Sequence, residues 1–449
     1  LACFQYFNEV IALPSTILFF GAGILLTLKL RFIQFRGFPR LLKLVRASSL
    51  RLSGSSDSAS SGGHARGQAA EQGSKTINPF HAMFAAMATT IGMGNIVGPT
   101  IAIYAGGPGA LFWLLVYIFF ASATKFTEVT FGLYTRVKMA DGSLVGGPMQ
   151  YLKLVHPVLA YWYIGVMMFL FVYWSGLQAN TLAQIFAQEA VPVWAVGAVL
   201  ACITYVVLQG GASRVGSIAS RLVPIMFVLY VTFSLFILFR DLHALAQAFK
   251  LVANSIMSPA AAMGGFAGAT ILKAMQSGAF QAIFISEAGL GTSSIAHAMS
   301  DAKRPTDQGI LALYSMGADA CLSLISGLLV LVTGVWMSGS FRSTLIYEVF
   351  KMNSPVFGRF ILIGAVTLFV LTTIIGNIFN GTQAVTSVAR TKQWIRWYLG
   401  FAITVVFLGP IAPVRLIWEV MDTLLFLVAV PNLIALLILA YTRSDVIND

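Results

Sequence analysis

Charged residues are scarce in this sequence, and their scarcity excludes most soluble classes of protein. Asp, Glu, Lys and Arg make up only 10% of the 449 residues, whereas 58% are hydrophobic. Soluble globular chains devote about a quarter of their residues to charge, so the composition indicates a membrane protein. The net charge of +12 does not indicate nucleic-acid binding, because the basic residues lie in short segments between apolar runs, as in cytoplasmic loops.

Sequence motifs of disulfide frameworks, metal sites, catalytic sites and ATP-binding sites are missing as well. The three cysteines, Cys3, Cys202 and Cys321, are isolated and lack CxxC spacing, so the sequence predicts neither a disulfide framework nor a metal site. The chain also lacks HExxH, serine-nucleophile and Walker A runs, which argues against an intramembrane enzyme and an ATP-driven pump. We therefore expect neither enzymatic activity nor a resident cofactor.

Long apolar runs, in contrast, are abundant. Runs of about 20 apolar residues mark transmembrane helices, and eleven such runs follow one another along the chain. They lie at about 10–30, 78–106, 109–135, 158–187, 191–210, 222–240, 262–292, 308–337, 358–387, 394–410 and 414–441. The first run follows Glu9 rather than a basic stretch, which is typical of a true span and not of a signal peptide.

The distribution of Lys and Arg predicts the orientation of these spans. With the N-terminus outside, 20 of the 28 basic residues fall on the cytoplasmic side and 6 outside, while Lys125 and Lys273 lie within spans. This bias predicts an N-out, C-in protein of the cell (inner) membrane. Residues 32–77 then form a basic cytoplasmic segment with a Ser/Gly-rich linker, and residues 443–449 form a cytoplasmic tail.

Two over-long, glycine-rich segments divide the chain into halves. After an additional N-terminal helix (1–31), ten spans form two groups of five, 78–240 and 262–442, joined by an extracellular connection at 241–261. Each group opens with a glycine-broken segment, and because five is odd the second group enters the membrane from the opposite side. Broken helices at matching positions of inverted halves indicate the binding site of a secondary transporter. Glycines that only let helices pack closely are the alternative.

The first break lies in "TTIGMGNIVGPT", residues 89–100. Gly92, Gly94 and Gly98 free the backbone there, and Asn95 adds an amide. Unwound backbone inside a membrane is tolerated only where it lines a cavity or meets a ligand. Freed carbonyls suit a small hard cation, and the N–H groups that open the second half-helix suit an anionic group. A zwitterion together with Na⁺ would satisfy both sets of backbone groups.

The second break, "FISEAGLGTSS", repeats this pattern and adds a carboxylate. Ser286, Glu287 and Gly289 carry it. An ionisable group inside a span is costly, by about 2.5–3.5 kcal/mol on insertion scales, so Glu287 needs a role. It either attracts a cation or latches a neighbouring half-helix, or it forms a cap or an internal hydrogen bond that holds the break open. We favour the last of these, since the end of a half-helix has spare N–H groups.

Further polar residues stand inside other spans. Thr372, Thr373 and Asn377 share the span "LTTIIGNIFN", and Gln178 lies in "SGLQANTLAQ". Gln178 and its neighbours Asn180 and Thr181 either line a polar cavity or bond between helices. Asp319 has no partner nearby in sequence, which leaves a structural role or a direct proton or cation role. Lys125 and Glu128 are three residues apart, so we expect them to neutralise each other.

Several motifs together resemble the alanine or glycine:cation symporter family, also called the sodium:alanine symporters. They are "IGMGNIVG", "GGPGALFW", "TKFTEV", "GGPMQYL", "SEAGLGTSSIAHA", "PTDQG" and "VLTTIIG", and their order runs over nearly the whole chain. The resemblance implies an all-α polytopic fold of the leucine-transporter type. This is a 5+5 inverted repeat with one additional N-terminal helix, and thus about 11 transmembrane helices. It also implies Na⁺-coupled uptake of alanine, glycine or a similar small amino acid by alternating access.

The resemblance also implies roles for individual residues. Gly94, Asn95 and Gly98 match the first-break motif whose backbone, with that of Gly92, cradles the substrate. Gln178 matches a polar residue on the third core helix, and Phe284 matches the aromatic beside the second break. Thr372 and Thr373 match the hydroxyl pair that coordinates Na⁺ with carbonyls of the first break, next to Gly92. Ser286 is expected at the substrate, and Glu287, Gly289 and Asp319 are expected to have structural or gating roles.

The chain also departs from the family pattern. Asn377 stands where the family usually has a bulky Trp, and Gln281 stands where an arginine is typical. Replacing an aromatic lid with Asn enlarges and polarises the pocket, so we hypothesise a substrate that is larger or more polar than alanine or glycine.

Three partners are expected: a small amino acid, Na⁺ or H⁺, and the lipid bilayer. Because Glu287 and Asp319 are ionisable, an H⁺-coupled carrier of another small polar solute is one alternative, and a channel-like pore is another. The sequence does not predict an oligomeric state.

Overall fold

A computed structural model describes residues 2–46, 77–139, 144–256, 271–338, 344–388 and 391–448. Most of the predicted linker, the end of the predicted extracellular connection (257–261) and the start of the seventh predicted span (262–270) lie outside these ranges. Helices dominate the described part, and its one sheet is a two-stranded antiparallel pair, β1 (Val137–Lys138) and β2 (Leu144–Val145).

The helices follow one another along the chain. The first half contains α1 (Ala2–Lys29), α2 (Ile33–Arg36), α3 (38–46), α4 (Pro79–Thr90), α5 (Met93–Gly106), α6 (Gly109–Tyr134), α7 (Pro148–Tyr151), α8 (Pro157–Ala187), α9 (Val193–Leu208), α10 (Gly211–Arg240) and α11 (Leu242–Ser255). The second half contains α12 (Ile271–Ser286), α13 (Thr292–His297), α14 (Pro305–Thr333), α15 (Leu345–Asn353), α16 (Phe357–Thr386), α17 (Lys392–Leu408), α18 (Val414–Thr442) and α19 (Ser444–Asn448). Single turns of 3₁₀ helix cover Leu152–Leu154, Val335–Ser338 and Gly409–Ile411.

Eight of the described helices are long and apolar enough to cross a membrane, and nine spans result if α4 and α5 count as one bent span. The angle between α4 and α5 is 42°. The predicted all-α polytopic class is therefore confirmed. Helices satisfy their own backbone hydrogen bonds, which lipid cannot do.

Local sequence explains where several of these helices begin and end. The side chain of Asn78 accepts a hydrogen bond of 2.9 Å from the N–H of Phe80, and Pro79 occupies the first helical position of α4. Proline also opens α8 and α14, where its missing N–H costs nothing. Gly334 ends α14 with a φ of 70°, a conformation that glycine adopts without strain.

The packing of the helices brings both breaks into the interior. α6 packs on α12 and α14, α5 packs on α12, and α16 packs on α8 and α10. α4 contacts α13 and α16, so the end of α4 lies between the second break and the helix that carries Thr372 and Thr373. The N-terminal α1 contacts α6 and α18.

Candidate functional site

The first break consists of Ile91 and Gly92, between the end of α4 and the start of α5. The N–H of Gly92 donates to Asn95 Oδ1 at 3.1 Å, and the N–H of Met93 donates to Gln178 Oε1 at 3.3 Å. In a continuous helix these two N–H groups would bond to the carbonyls four residues earlier. Those carbonyls, of Ala88 and Thr89, therefore lose their helical donors.

The hydroxyl of Thr373 lies directly against this break. Its Oγ1 is 3.4 Å from the carbonyl oxygen of Ile91, and a Cβ on Gly92 would lie only 2.5 Å from the same Oγ1. Only glycine therefore allows α16 to approach the backbone so closely. Hydroxyl and carbonyl oxygens are hard ligands that suit Na⁺-like cations, and the C-terminal end of α4 carries partial negative charge.

Thr372 does not join this arrangement. Its hydroxyl donates to the carbonyls of Leu368 and Phe369 in its own helix, at 2.9 and 3.0 Å, and lies 3.7 Å from Met226 Sδ on α10. A threonine that bonds back to its own helix is the ordinary case in membrane spans.

Asn95 connects the first break to α14. Its Nδ2 donates to Asp319 Oδ1 at 3.0 Å, while its Oδ1 accepts from Gly92. Both residues are fully buried, and Asp319 Oδ2 has no hydrogen-bond partner among the described residues. The partner of Asp319 is thus an amide at the first break, which no local sequence pattern indicated.

The second break, residues 287–291 between α12 and α13, is arranged differently. Gly289 has a φ of 100° and Glu287 a φ of 57°, so the chain reverses here through left-handed conformations. The Glu287 carboxylate accepts from the hydroxyl of Thr292 and, at 3.4 Å, from that of Thr89 at the end of α4. Glu287 therefore links the two breaks.

The bond from Thr292 is the internal hydrogen bond expected of Glu287, and the bond from Thr89 is a latch to a neighbouring half-helix. The N–H of the break is paired by another carboxylate, that of Glu128 on α6. Glu128 Oε1 accepts from the N–H of Gly289 at 2.9 Å and from Asn432 Nδ2 at 2.9 Å. Lys125 donates to the carbonyl of Ser286 at 2.6 Å. Lys125 and Glu128 thus bond to the second break rather than to each other.

Glycines of α5 serve helix packing. A Cβ on Gly94 would lie 3.0 Å from the ring of Phe284, and a Cβ on Gly98 would lie 3.0 Å from Ile285 Cδ1. The alternative of close packing therefore applies to both. The Phe284 ring stacks on Trp174 with a centroid distance of 5.0 Å and meets Trp418 at 5.1 Å, forming an aromatic wall beside α5.

Other predicted side chains are distributed as follows. Ser286 Oγ donates to the carbonyl of Ala282 at 2.7 Å and accepts from the N–H of Ala288, so the hydroxyl bonds within α12 and the second break.

Asn377 is fully buried, and neither of its side-chain atoms has a hydrogen-bond partner among the described residues. Asn377 lies one helical turn beyond Thr373. Among the described residues of α16, its amide atoms are the unpaired polar atoms closest in sequence to Thr373.

The neighbours of Gln178 bond to helices rather than line the break. Asn180 Nδ2 donates to the carbonyls of Gly409 and Ala412, at 2.8 and 3.0 Å, and Thr181 donates to that of Leu177. Of the three polar residues in this part of α8, only Gln178 reaches the first break.

The sequence did not indicate the side chains on other helices that hydrogen-bond to the second break. Tyr117, Tyr163 and Asn432 each bond to its backbone. Asn432 was detectable as an isolated amide next to Pro431 in an apolar span. The tyrosines carried no such signal, because Tyr is common in membrane helices.

A polytopic helical protein with a span that breaks in its interior, where freed backbone meets polar side chains, has the architecture of membrane transporters. Comparison with known proteins defines the class further. The sequence model of the sodium:alanine symporter family matches residues 2–449, and the chain therefore belongs to this family. It is a multi-pass cell-membrane transporter of the sodium-coupled amino-acid symporter type.

Three relatives illustrate the similarity. An uncharacterised transporter of Haemophilus influenzae is 31% identical over 94% of this chain and 90% of its own length. The sodium/alanine symporter AgcS of Methanococcus maripaludis is 31% identical over 94% of this chain and 91% of its own. The probable sodium/glutamine symporter GlnT of Bacillus subtilis is 25% identical over 96% of this chain and 87% of its own.

Proposed function

We propose that this protein couples the entry of one small neutral amino acid to that of Na⁺ by alternating access, and that both bind at the first break. The observation that carries the proposal is the pairing of Thr373 Oγ1 with the Ile91 carbonyl, 3.4 Å apart. Beside them, the carbonyl of Ala88 has lost its helical donor to the Asn95 cap on Gly92. Na⁺ binds there between carbonyl and hydroxyl oxygens.

The substrate lies on the other side of the same break. The N-terminal end of α5 attracts its carboxylate, and Gln178 Oε1 already accepts a hydrogen bond from the Met93 N–H at that end. Gly92 lets α16 approach the backbone of the break, and Gly94 and Gly98 let Phe284 and Ile285 approach the first turns of α5. The ring of Phe284 forms the apolar wall against which the substrate side chain packs.

Asn377 sets the identity of that side chain. A buried amide without a partner is costly, about 1–3 kcal/mol for a neutral group, so a substrate that supplies the partner gains affinity. This favours a polar neutral amino acid over alanine or glycine. The name of the Bacillus subtilis relative, a probable sodium/glutamine symporter, is in line with such a substrate.

The rest of the chain supports the site as two inverted halves. Residues 78–240 form the first five spans, with α4 and α5 as one broken span and α9 as a short one. Residues 262–442 form the second five, with α12 and α13 as the other broken span. With α1 this gives eleven spans, N-out and C-in. Rocking of one group of helices against the other exposes the first break to either side.

Uptake into proteoliposomes tests this proposal. Labelled alanine, serine, asparagine and glutamine are offered under an imposed inward Na⁺ gradient, an H⁺ gradient, or neither. We expect saturable uptake that needs Na⁺ and favours a polar substrate. Uptake driven by an H⁺ gradient alone would show that the coupling ion is H⁺ and not Na⁺. Flux that does not saturate with substrate would indicate a pore.

A further inference from the structure

The two breaks differ in the source of the donors to their carbonyls: at the first break, Ile91 accepts from the Thr373 hydroxyl and Gly92 accepts from the N–H of Asn95. All six carbonyls of residues 286–291 accept hydrogen bonds within the described structure. The donors are Lys125 Nζ for Ser286, the Leu290 N–H for Glu287, Tyr117 OH for Ala288, Asn432 Nδ2 for Gly289, Tyr163 OH for Leu290, and the Ser294 N–H for Gly291. Four of these donors are side chains from α6, α8 and α18. The carbonyls of the second break are therefore held largely by side chains of other helices, which a cation bound there would have to displace.

Lys125 takes the position at the second break that the proposed Na⁺ takes at the first. Na⁺ is proposed at the C-terminal end of α4, and the Lys125 ammonium lies 2.6 Å from the last carbonyl of α12, that of Ser286. Both are cations at the negative end of a half-helix. Lys125 is 1% exposed, and a buried charge of this kind requires compensation.

Two carboxylates provide that compensation. Glu128 and Glu287 are both fully buried, and both lie within electrostatic range of the Lys125 charge. Glu128 holds the N–H of Gly289 and Glu287 holds Thr292 and Thr89. The ammonium thus bonds to the carbonyl end of α12 and has two buried acids among its electrostatic neighbours, which resembles the charge environment of a bound monovalent cation.

We propose that Lys125 is a built-in cation of the second break, so that exchangeable Na⁺ binds at the first break alone. The inference rests on the proposed Na⁺-coupled function and assigns its stoichiometry, one Na⁺ per substrate. It also makes Lys125 a positioning residue, because it acts on the transport site only through the shape of the second break.

The variant Lys125→Met tests this proposal, since Met has a similar length and no charge. Removing the ammonium leaves the Ser286 carbonyl and two carboxylates without their cation, and Na⁺ is free to bind in its place. We expect the Hill coefficient for Na⁺ in uptake to rise from about 1 to about 2, the limit set by the number of sites. Thermal stability should fall in Na⁺-free choline buffer and recover as Na⁺ is added.

A second variant separates charge from packing. The bonds from the Gly289 N–H and from Asn432 Nδ2 both end on Oε1 of Glu128, so Glu128→Gln keeps these two through its own Oε1 while removing one negative charge. Combined with Lys125→Met it restores the charge balance, and we expect a Hill coefficient of about 1 again. Lys153→Met is the matched control, because Lys153 is exposed and its one side-chain bond among the described residues is to Gln150.

Each outcome decides the matter. A coupling ratio of two Na⁺ per substrate in the unmodified protein, measured from the voltage at which net flux is zero, would overturn the proposal. An unchanged Na⁺ dependence in folded Lys125→Met would do the same. If the single variant does not fold, a folded double variant with one-site Na⁺ dependence supports the proposal, and an equally unfolded one overturns it. Unmodified protein without any Na⁺ dependence would instead refute the proposed function.

Discussion

Asn95 and Asp319 form a buried hydrogen bond of 3.0 Å that ties the first break to α14. A carboxylate accepts hydrogen bonds and does not donate them, so Asp319 fixes which end of the Asn95 amide faces it. The side-chain oxygen of Asn95 therefore faces the N–H of Gly92 and accepts a hydrogen bond of 3.1 Å from it. A residue on one helix thus determines how another helix is interrupted.

Removing the Asp319 carboxylate should disturb the break. In Asp319→Ala the Asn95 amide loses its partner, which costs about 1–3 kcal/mol for a buried group, and it becomes free to rotate away from Gly92. We expect a lower melting temperature and a large loss of Na⁺-dependent uptake. Asp445→Ala is the control, because Asp445 is exposed and its contact with Arg443 is a surface pair. Uptake and stability equal to those of the control would contradict the role given to Asp319.

The two neighbouring threonines should differ in their effect on the cation. Thr373→Ala removes the hydroxyl beside the Ile91 carbonyl, and we expect the Na⁺ concentration for half-maximal uptake to rise about tenfold, which corresponds to about 1.4 kcal/mol. Substrate selectivity should change less. Thr372→Ala should have a smaller effect on Na⁺, since that hydroxyl bonds within its own helix. Uptake as a function of Na⁺ concentration measures both, and an unaltered response in Thr373→Ala would place the cation elsewhere.

Asn377 should control selectivity. Asn377→Trp places the family's aromatic residue one turn from Thr373 and removes the amide, so we expect the preference to shift towards alanine and glycine. Competition of unlabelled amino acids with a labelled substrate gives the order of affinities. A strict preference for alanine and glycine in the unmodified protein would contradict the role assigned to Asn377.

Gly289 should be needed for the conformation of the second break. Its φ of 100° is one that side chains rarely adopt, so Gly289→Ala introduces backbone strain of about 1–3 kcal/mol and should lower thermal stability and uptake together. Gly165→Ala is the matched control: it lies in α8 with no atom within 4 Å of an added Cβ. If the Gly289→Ala and Gly165→Ala variants had the same melting temperature, the left-handed conformation of Gly289 would not be required for stability.

The sequence predicted the parts of the site that depend on single segments. Hydropathy indicated a membrane protein, and the glycine clusters around Gly92 and Gly289 indicated both helix interruptions. The sequence was less informative about which side chains bond to each interruption. Lys125 and Glu128 are three residues apart, and their spacing indicates that their charges offset each other, but it does not indicate that each also bonds to a backbone more than 150 residues away in sequence. Thr372 and Thr373 were equivalent in the sequence, and the rotation of α16 separated them.

Sequence alone therefore determined that this chain crosses the membrane many times and that two of its segments cannot run through as plain helices, because glycine and apolar composition act locally on the backbone. The tertiary structure decided how the carbonyls of the second interruption are satisfied. That outcome depends on side chains such as Tyr117, Tyr163 and Asn432, which reach the second break from three separate helices. Hydrogen bonds of this kind form only where helix packing brings donor and acceptor within about 3 Å, and no local pattern encodes that meeting.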